Sequence, residues 1–199
     1  MGELRGSYRV HFGLALALCG AGLLCMASTW LPDEYTVPKW LVVGLSVAMF
    51  PVAIVSFIRT YTSGATTHLI NRNHGDRFIK YVLALPLAIK LTYVFIVLLA
   101  VLGFATGAGA AKDAQADASG YYYTYWDKTA DPQHSVRVEL TEPEYHEALK
   151  GQLRIFSAAP LLFNGLSSFL VLASASAAAA RTRTAPKLSS RSAESRTRS

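Results

Sequence analysis

Two polar side chains in this sequence stand within long apolar runs, where they could contact a solute or join neighbouring helices. Lys90 lies in the run of residues 81–111 and Asn164 in the run of residues 155–180. Because a lysine at the bilayer centre costs about 2.5–3.5 kcal/mol on insertion scales, we expect Lys90 at the cytoplasmic boundary, with its ammonium among the headgroups. Asn164 should join helices through hydrogen bonds of about 0.6 kcal/mol each. The alternative is that both residues line a solute pathway.

Aromatic side chains form a second group, suited to recognition rather than catalysis. Tyr121, Tyr123, Tyr125 and Trp126 belong to one aromatic run of residues 121–126. Tyrosine and tryptophan dominate binding hot spots, and they also favour the headgroup depth of a membrane. The run therefore predicts either a surface that recognises a partner or an interfacial belt.

Catalytic and metal chemistry have no complete signature in the chain. His134, His146, Asp131 and Glu142 come closest to a ligand set, and their spacing matches no known metal-binding pattern. The apolar runs offer no nucleophile–base pair that spacing would reveal. They also contain no acidic residue, which a proton-coupled exporter requires. We therefore expect no catalytic residues, no metal and no cofactor.

Four apolar runs organise the sequence: residues 10–30, 40–58, about 81–111 and 155–180. Each reaches the roughly 20 residues that a helix needs to cross about 30 Å of hydrocarbon. Since lipid offers the backbone no hydrogen-bond partners, helices are the expected spanning form. The sequence predicts an all-α membrane protein, a four-transmembrane-helix bundle with a small extracytoplasmic β-hairpin and helix between the third and fourth spans.

Small residues at four-residue spacing predict where the helices pack. Gly103 and Gly107 form a G-x-x-x-G pair in the third run, and small residues let helix backbones approach closely in a membrane. Packing within the chain and packing between copies in a homo-oligomer both use this pattern. We expect the former.

The segment of residues 112–153 has a pattern of its own. We expect a flexible start at residues 112–120, a hairpin of residues 121–126 and 135–140, and a helix that begins with a capping box at residues 141–144. The domain organisation follows: residues 1–111 hold three spans, 112–153 the extracytoplasmic loop, 154–180 the fourth span and 181–199 a disordered basic tail.

Charge changes sign between the segments that separate the runs, although the net charge is +6. The N-terminus, residues 59–80 and residues 181–199 are basic, whereas residues 31–39 and 112–153 are acidic. Lysine and arginine concentrate on the cytoplasmic side, so we expect a multi-pass protein of the plasma membrane with both termini in the cytoplasm. The basic tail should attract anionic lipids of the bilayer. Because these charges flank membrane helices, we expect no nucleic-acid binding.

Function is predicted from the contrast between the loop and the spans. The residue pattern of the loop predicts strands and a helix, while the spans contain no acidic residue and no nucleophile–base pair that spacing would reveal. We therefore expect a non-enzymatic integral membrane protein that acts as an accessory or sensor and binds a membrane or envelope protein through its extracytoplasmic loop. The alternative is a small oligomeric transporter or channel that uses Lys90 and Asn164.

Overall fold

The computed structural model describes residue 4 and residues 6–32, 37–66, 82–129 and 134–196, with side chains up to residue 179. Most of these residues are helical, and a small sheet lies between the last two long helices in the chain. The elements in order are α1 (Ser7–Ser28), α2 (Lys39–Thr62), α3 (Leu87–Ala108), β1 (Ala114–Asp117), β2 (Gly120–Asp127), β3 (His134–Leu140) and α4 (Glu142–Arg196).

Among the described residues, four helices are long and apolar enough to cross a membrane. They are α1, α2, α3 and the part of α4 from Glu142 to Ala179. Large apolar side chains are exposed along them, with Val10, Leu24 and Trp40 exposed by 73%, 70% and 73%. Such surfaces suit lipid rather than water. The prediction of four helices with the length and apolar character of membrane spans is confirmed, and such a set indicates a multi-pass membrane protein.

The third helix is shorter than the apolar run that predicts it. Pro86 stands immediately before α3, and its carbonyl accepts hydrogen bonds from the backbone N–H groups of Ile89 and Lys90 at 3.0 and 3.1 Å. Proline has no N–H to contribute and its φ suits the first turn, so it marks the start of a helix. The spanning helix therefore begins at Leu87 rather than at residue 81.

The sheet has three strands, where the sequence analysis expects two. β1 pairs antiparallel with β2, and β2 pairs antiparallel with β3. The prediction of a flexible start at residues 112–120 is therefore wrong. A tight turn joins β1 to β2: the Asp117 carboxylate accepts from the Ser119 backbone N–H at 2.8 Å, and Gly120 adopts a φ of +128° that favours glycine.

The two faces of the sheet differ in polarity because side chains alternate along each strand. One face is apolar and carries, from β2 and from the opposing positions of β3, Tyr121, Tyr123, Tyr125, Leu140, Val138 and Val136. The other face is mainly polar and carries Tyr122, Thr124, Trp126, Glu139, Arg137 and Ser135. The strand predicted over residues 135–140 therefore has the alternation on which its prediction rests.

The fourth helix begins where the capping box is predicted and runs beyond the predicted end of the span. The Thr141 backbone N–H donates to Glu144 Oε2 at 2.8 Å, which satisfies a donor that precedes the helix. At the other end the helical backbone continues to Arg196, through the segment for which the sequence predicts disorder. The alanine run of residues 177–180 has high helix propensity and favours this continuation.

Close packing divides the chain into two compact units. The sheet unit comprises Leu18–Ala48 and Val94–Leu162, and the terminal unit comprises Met1–Ala17, Met49–Tyr93 and Phe163–Ser199. In the sheet unit, Cys25, Val42 and Leu45 form a buried apolar cluster against which Leu153 packs. The terminal unit instead buries many hydroxyl side chains between its helix segments, described below.

Within the sheet unit, α3 packs on α4 through glycines. A Cβ atom on Gly107 would lie 2.8 Å from the Gly151 backbone oxygen and 2.8 Å from Ile155 Cγ1. A Cβ atom on Gly103 would lie 3.2 Å from Ala158 Cβ and 3.4 Å from the Arg154 backbone oxygen. The distances at Gly107 are too short for a real side chain and those at Gly103 leave little room for one, so small residues at both positions allow this approach. The contact is made within one chain.

Candidate functional site

The four aromatic residues predicted to form an interaction surface all lie on β2, in two different environments. Tyr121 stacks on Tyr145 of α4, with ring centroids 4.5 Å apart, and Tyr123 is half-buried beside it on the same face. Tyr125 and Trp126 stand toward the other end of the strand and are 45% and 57% exposed. One end of the strand is therefore packed on a helix, and the other presents its aromatic rings.

Lys112 adds a second tie between the sheet and α4. Its ammonium lies 4.7 Å from the centroid of the Tyr123 ring, a cation–π contact worth about 0.5–1 kcal/mol at an exposed site. Its backbone carbonyl accepts a hydrogen bond from the Gln152 side chain. These contacts hold the sheet at the end where the aromatic rings are covered.

On the polar face, Arg137 links all three strands. Its guanidinium donates to the Asp117 carboxylate of β1 at 2.8 Å and lies 3.6 Å from the centroid of the Tyr122 ring of β2. The hydrogen bond from Arg137 holds the pKa of Asp117 well below its ordinary range, and hydrogen bonds from Ser119 lower that pKa further. The cluster clamps the outer strands across the central one.

Acid should weaken the sheet, because Asp117 binds its proton more weakly in the folded chain than in the unfolded chain. Its contribution to stability is complete above the unfolded pKa of about 3.9 and is lost as the pH falls through the lower folded pKa. We expect near-ultraviolet circular dichroism of the full chain to report this loss below about pH 4. Asp117→Asn should be weaker already at neutral pH and should show a smaller acid step. Asp113→Asn, outside the clamp, should keep the full step.

Asn164 lies on α4 in the terminal unit and is entirely buried. Among the residues that the structure describes, neither its Oδ1 nor its Nδ2 meets a hydrogen-bond partner. The interhelical bond that the sequence analysis expects is therefore not formed by these residues. A buried amide without partners costs about 1–3 kcal/mol, so this side chain is retained at an energetic loss.

Replacing Asn164 with leucine should stabilise the chain, because the buried amide lacks hydrogen-bond partners among the described residues. Leucine has a similar volume and removes the polar group that the site leaves unsatisfied, so we expect a gain of about 1–2 kcal/mol. Unfolding of the full chain in mixed detergent micelles measures it. Ser168→Ala serves as the comparison and should lose about 1 kcal/mol. A loss for Asn164→Leu would show that the amide has a bound partner.

Hydroxyl groups join helices of the terminal unit at positions that the sequence analysis did not assign. The Tyr93 hydroxyl and Ser168 Oγ are 3.0 Å apart, which links α3 to α4. Ser174 Oγ donates to Thr60 Oγ1 at 3.2 Å, which links α4 to α2. Ser168 and Ser174 are fully buried. The signal in the sequence is the recurrence of serine within a largely apolar run.

His11 and Ser56 form another contact that the spacing of residues does not reveal. His11 Nε2 is 3.1 Å from the Val52 carbonyl oxygen and 3.2 Å from Ser56 Oγ. A carbonyl only accepts, so the bond to Val52 requires a proton on Nε2. Nε2 therefore cannot also take the Ser56 proton, as a catalytic base would. The pair joins α1 to α2, and this geometry does not activate a nucleophile.

Lys90 stands in the first turn of α3. Its ammonium donates to the Leu83 backbone carbonyl at 2.9 Å, so its charge is directed back toward the segment before the helix. This position agrees with a lysine near the end of a span rather than at its centre. It gives no support to a path lined jointly by Lys90 and Asn164.

In the sheet unit, Arg154 is a buried charged residue to which the sequence analysis assigns no role. It is 8% exposed. Its Nη1 donates to Glu147 Oε1 at 2.8 Å, and its Nε donates to Thr29 Oγ1 at 3.2 Å. The guanidinium thus joins α4 to Thr29, the residue that follows α1, and to Glu147, two turns earlier on α4 itself. No spacing rule indicates this partner at the far end of another helix.

The described residues contain no group of three or more side chains that could hold a metal ion. Of the set considered from the sequence, His146 Nε2 lies 3.8 Å from Glu142 Oε1, a helical neighbour contact. Asp131 lies outside the described residues. The candidate site that remains is the exposed end of β2, where Tyr125 projects from one face of the sheet and Trp126 from the other.

The structure indicates a class, a multi-pass membrane protein with a three-stranded sheet between its last two candidate spans. No protein-family model, no curated protein and no solved structure matches the chain.

Proposed function

We propose that the sheet lies on the extracytoplasmic side of the plasma membrane and that both termini lie in the cytoplasm. The placement of lysine and arginine in the N-terminus, residues 59–80 and the tail supports this orientation. The tail would then rest against anionic lipids. A cysteine at Ala118, in the exposed β1–β2 turn, should react with a membrane-impermeant maleimide in intact cells, whereas a cysteine at Ser7 should not. The opposite pattern would invert the topology.

On that topology, the protein acts as a non-enzymatic accessory or sensor that binds a membrane or envelope protein through the sheet. The observation that supports this function is the exposure of Tyr125 and Trp126 on a sheet that is otherwise clamped. Stacking of Tyr121 on Tyr145 and the Arg137–Asp117 pair hold the strand rigid. Rigid, exposed aromatic side chains lose little entropy on binding and are typical of hot spots.

The test removes the exposed rings and leaves the clamp. The tagged full chain is purified from native membranes with its bound proteins, as the wild type, as Tyr125→Ala/Trp126→Ala and as Ser135→Ala. A hot-spot pair contributes about 2 kcal/mol or more, so the double variant should retain roughly 30-fold less of the partner. Ser135→Ala, next to Trp126 across the strand, should retain it fully. Equal recovery from all three would refute binding through these rings.

A transporter or channel is the second candidate, supported by Asn164. A buried amide with no partner among the described residues, on a helix that also buries Ser167 and Ser168, could bind a small polar solute. Reconstituted vesicles should then show glycerol-driven swelling or potassium flux that Asn164→Leu abolishes. Ser46→Ala, on α2 in the sheet unit, should leave any flux unchanged. Absence of flux in the wild type, or flux that survives Asn164→Leu, excludes this residue from transport.

A further inference from the structure

The outer edge of β3 is an unpaired sheet edge. β3 is the last strand in the order β1-β2-β3. Within the described part of the chain, the backbone of residues 135–140 forms no hydrogen bond on the side away from β2. The pairing with β2 is regular and contains no bulge. The strand also contains no proline. An edge without these protections is a template on which another strand can pair.

We propose that this edge pairs with the same edge of a second copy of the chain, antiparallel and symmetric about Val138. A twofold axis perpendicular to the sheet at Val138 brings each residue opposite the residue of the second copy that lies equally far from Val138 on its other side. Val138 then faces Val138 of the second copy, and Val136 faces Leu140. Arg137 faces Glu139, and this pair occurs twice. The two three-stranded sheets become one sheet of six strands.

Charge selects this register over its neighbours. A symmetric register keeps the apolar side chains of both copies on one face only if it is centred on a residue, not between two residues. The neighbouring register centred on Arg137 places Arg137 opposite Arg137. The one centred on Glu139 places Glu139 opposite Glu139. Like charges directly opposite destabilise an antiparallel pair, whereas opposite charges and β-branched pairs stabilise it. Of these three registers, only the symmetric one about Val138 matches every charge and every apolar side chain.

The side chains involved are available for such pairing. Ser135, Arg137 and Glu139 are exposed, and Val136, Val138 and Leu140 are half-buried. Arg137 keeps its bond to Asp117 on its own sheet, and its guanidinium has further N–H groups for a second carboxylate. Glu139 makes no hydrogen bond or ion pair with the described residues. This inference does not depend on the proposed function, because it uses the β3 edge and not the exposed rings of β2.

Disulfide crosslinking in native membranes tests the register. In a background with Cys19→Ala and Cys25→Ala, a cysteine at Val138 meets its own copy across the axis at a distance that a disulfide can bridge. Val136→Cys and Leu140→Cys are the matched controls, since each faces the other position instead of itself. We expect about tenfold more crosslinked dimer from Val138→Cys than from either control alone. Co-expression of the two controls should give a mixed dimer.

A charge variant supplies the second readout. Glu139→Arg leaves the Asp117–Arg137 clamp intact and places like charges opposite each other twice, so it should reduce copurification of two differently tagged chains about tenfold. Asp113→Arg, just before β1 on the opposite side of the sheet, makes the same change of charge away from the β3 edge and should not. Equal crosslinking from residues 136, 138 and 140, crosslinking of Val138→Cys to a foreign protein, or full copurification of Glu139→Arg would each overturn the proposal.

Discussion

Replacing Gly107 with leucine should destabilise the full chain by about 3 kcal/mol, the largest effect expected from a single substitution here. The first atom of the new side chain would already lie 2.8 Å from the Gly151 backbone oxygen and 2.8 Å from Ile155 Cγ1. The Gly151 oxygen belongs to the backbone and cannot move aside as the end of a flexible side chain could, so α3 and α4 must separate. Equilibrium unfolding in mixed detergent micelles measures the loss.

The matched control is Gly20→Leu on α1. A Cβ atom at Gly20 meets nothing within 4 Å, and leucine has the better helix propensity by somewhat less than 1 kcal/mol. This variant should be as stable as the wild type or slightly more so. The loss for Gly107→Leu should not depend on protein concentration, because the contact is intrachain. A wild-type stability for Gly107→Leu, or a loss that concentration reverses, would contradict the packing described here.

The second large effect concerns the Arg154–Glu147 ion pair, in which we expect replacement of the glutamate to cost more stability than replacement of the arginine. Glu147→Ala should cost about 2 kcal/mol, because it leaves a guanidinium that is 8% exposed without its carboxylate. Loss of a fully buried pair costs about 3–5 kcal/mol, and the value is smaller here because the Glu147 side chain is 54% exposed. Arg154→Met should cost about 1 kcal/mol or less, since it leaves a carboxylate that water can reach and an apolar stem in the same place.

A double-mutant cycle completes this test. Once Arg154 is methionine, Glu147 has no charge to compensate, so the double variant should be about as stable as Arg154→Met alone. The coupling should weaken only slightly in high salt, because the guanidinium is buried. If Arg154→Met costs more than Glu147→Ala, then the bond to Thr29, rather than the ion pair, is the main reason that the arginine is retained.

The four spanning helices could be predicted from the sequence because run length and apolar character act locally. β1 could not be predicted in this way. Its four residues have neither β-branched nor aromatic side chains, and its pairing depends on the Asp117 turn and on the partner strand. Secondary structure of this kind is set by tertiary contact rather than by propensity.

The polar contacts differ in the same way. Asn164 could be singled out because an amide side chain deep in an apolar run is visible in the sequence, whereas its lack of a hydrogen-bond partner among the described residues could be seen only in the structure. His11 and Ser56 are 45 residues apart, and Arg154 and Thr29 are 125 apart. Only the placement of the helices brings such pairs together. On the sheet, the aromatic run could be read from the sequence, but its division into a covered end and an exposed end required the register and the contact with Tyr145.

Site-specific photocrosslinking from β2 in native membranes tests the central proposal most directly. A photoreactive phenylalanine analogue replaces Tyr125 in one chain and Ala118 in a matched chain, and the adducts are identified by mass spectrometry. We predict one foreign membrane or envelope protein attached in high yield at residue 125 and absent at residue 118. Adducts to lipid alone at residue 125 would contradict it and would indicate that the exposed aromatic rings form an interfacial belt.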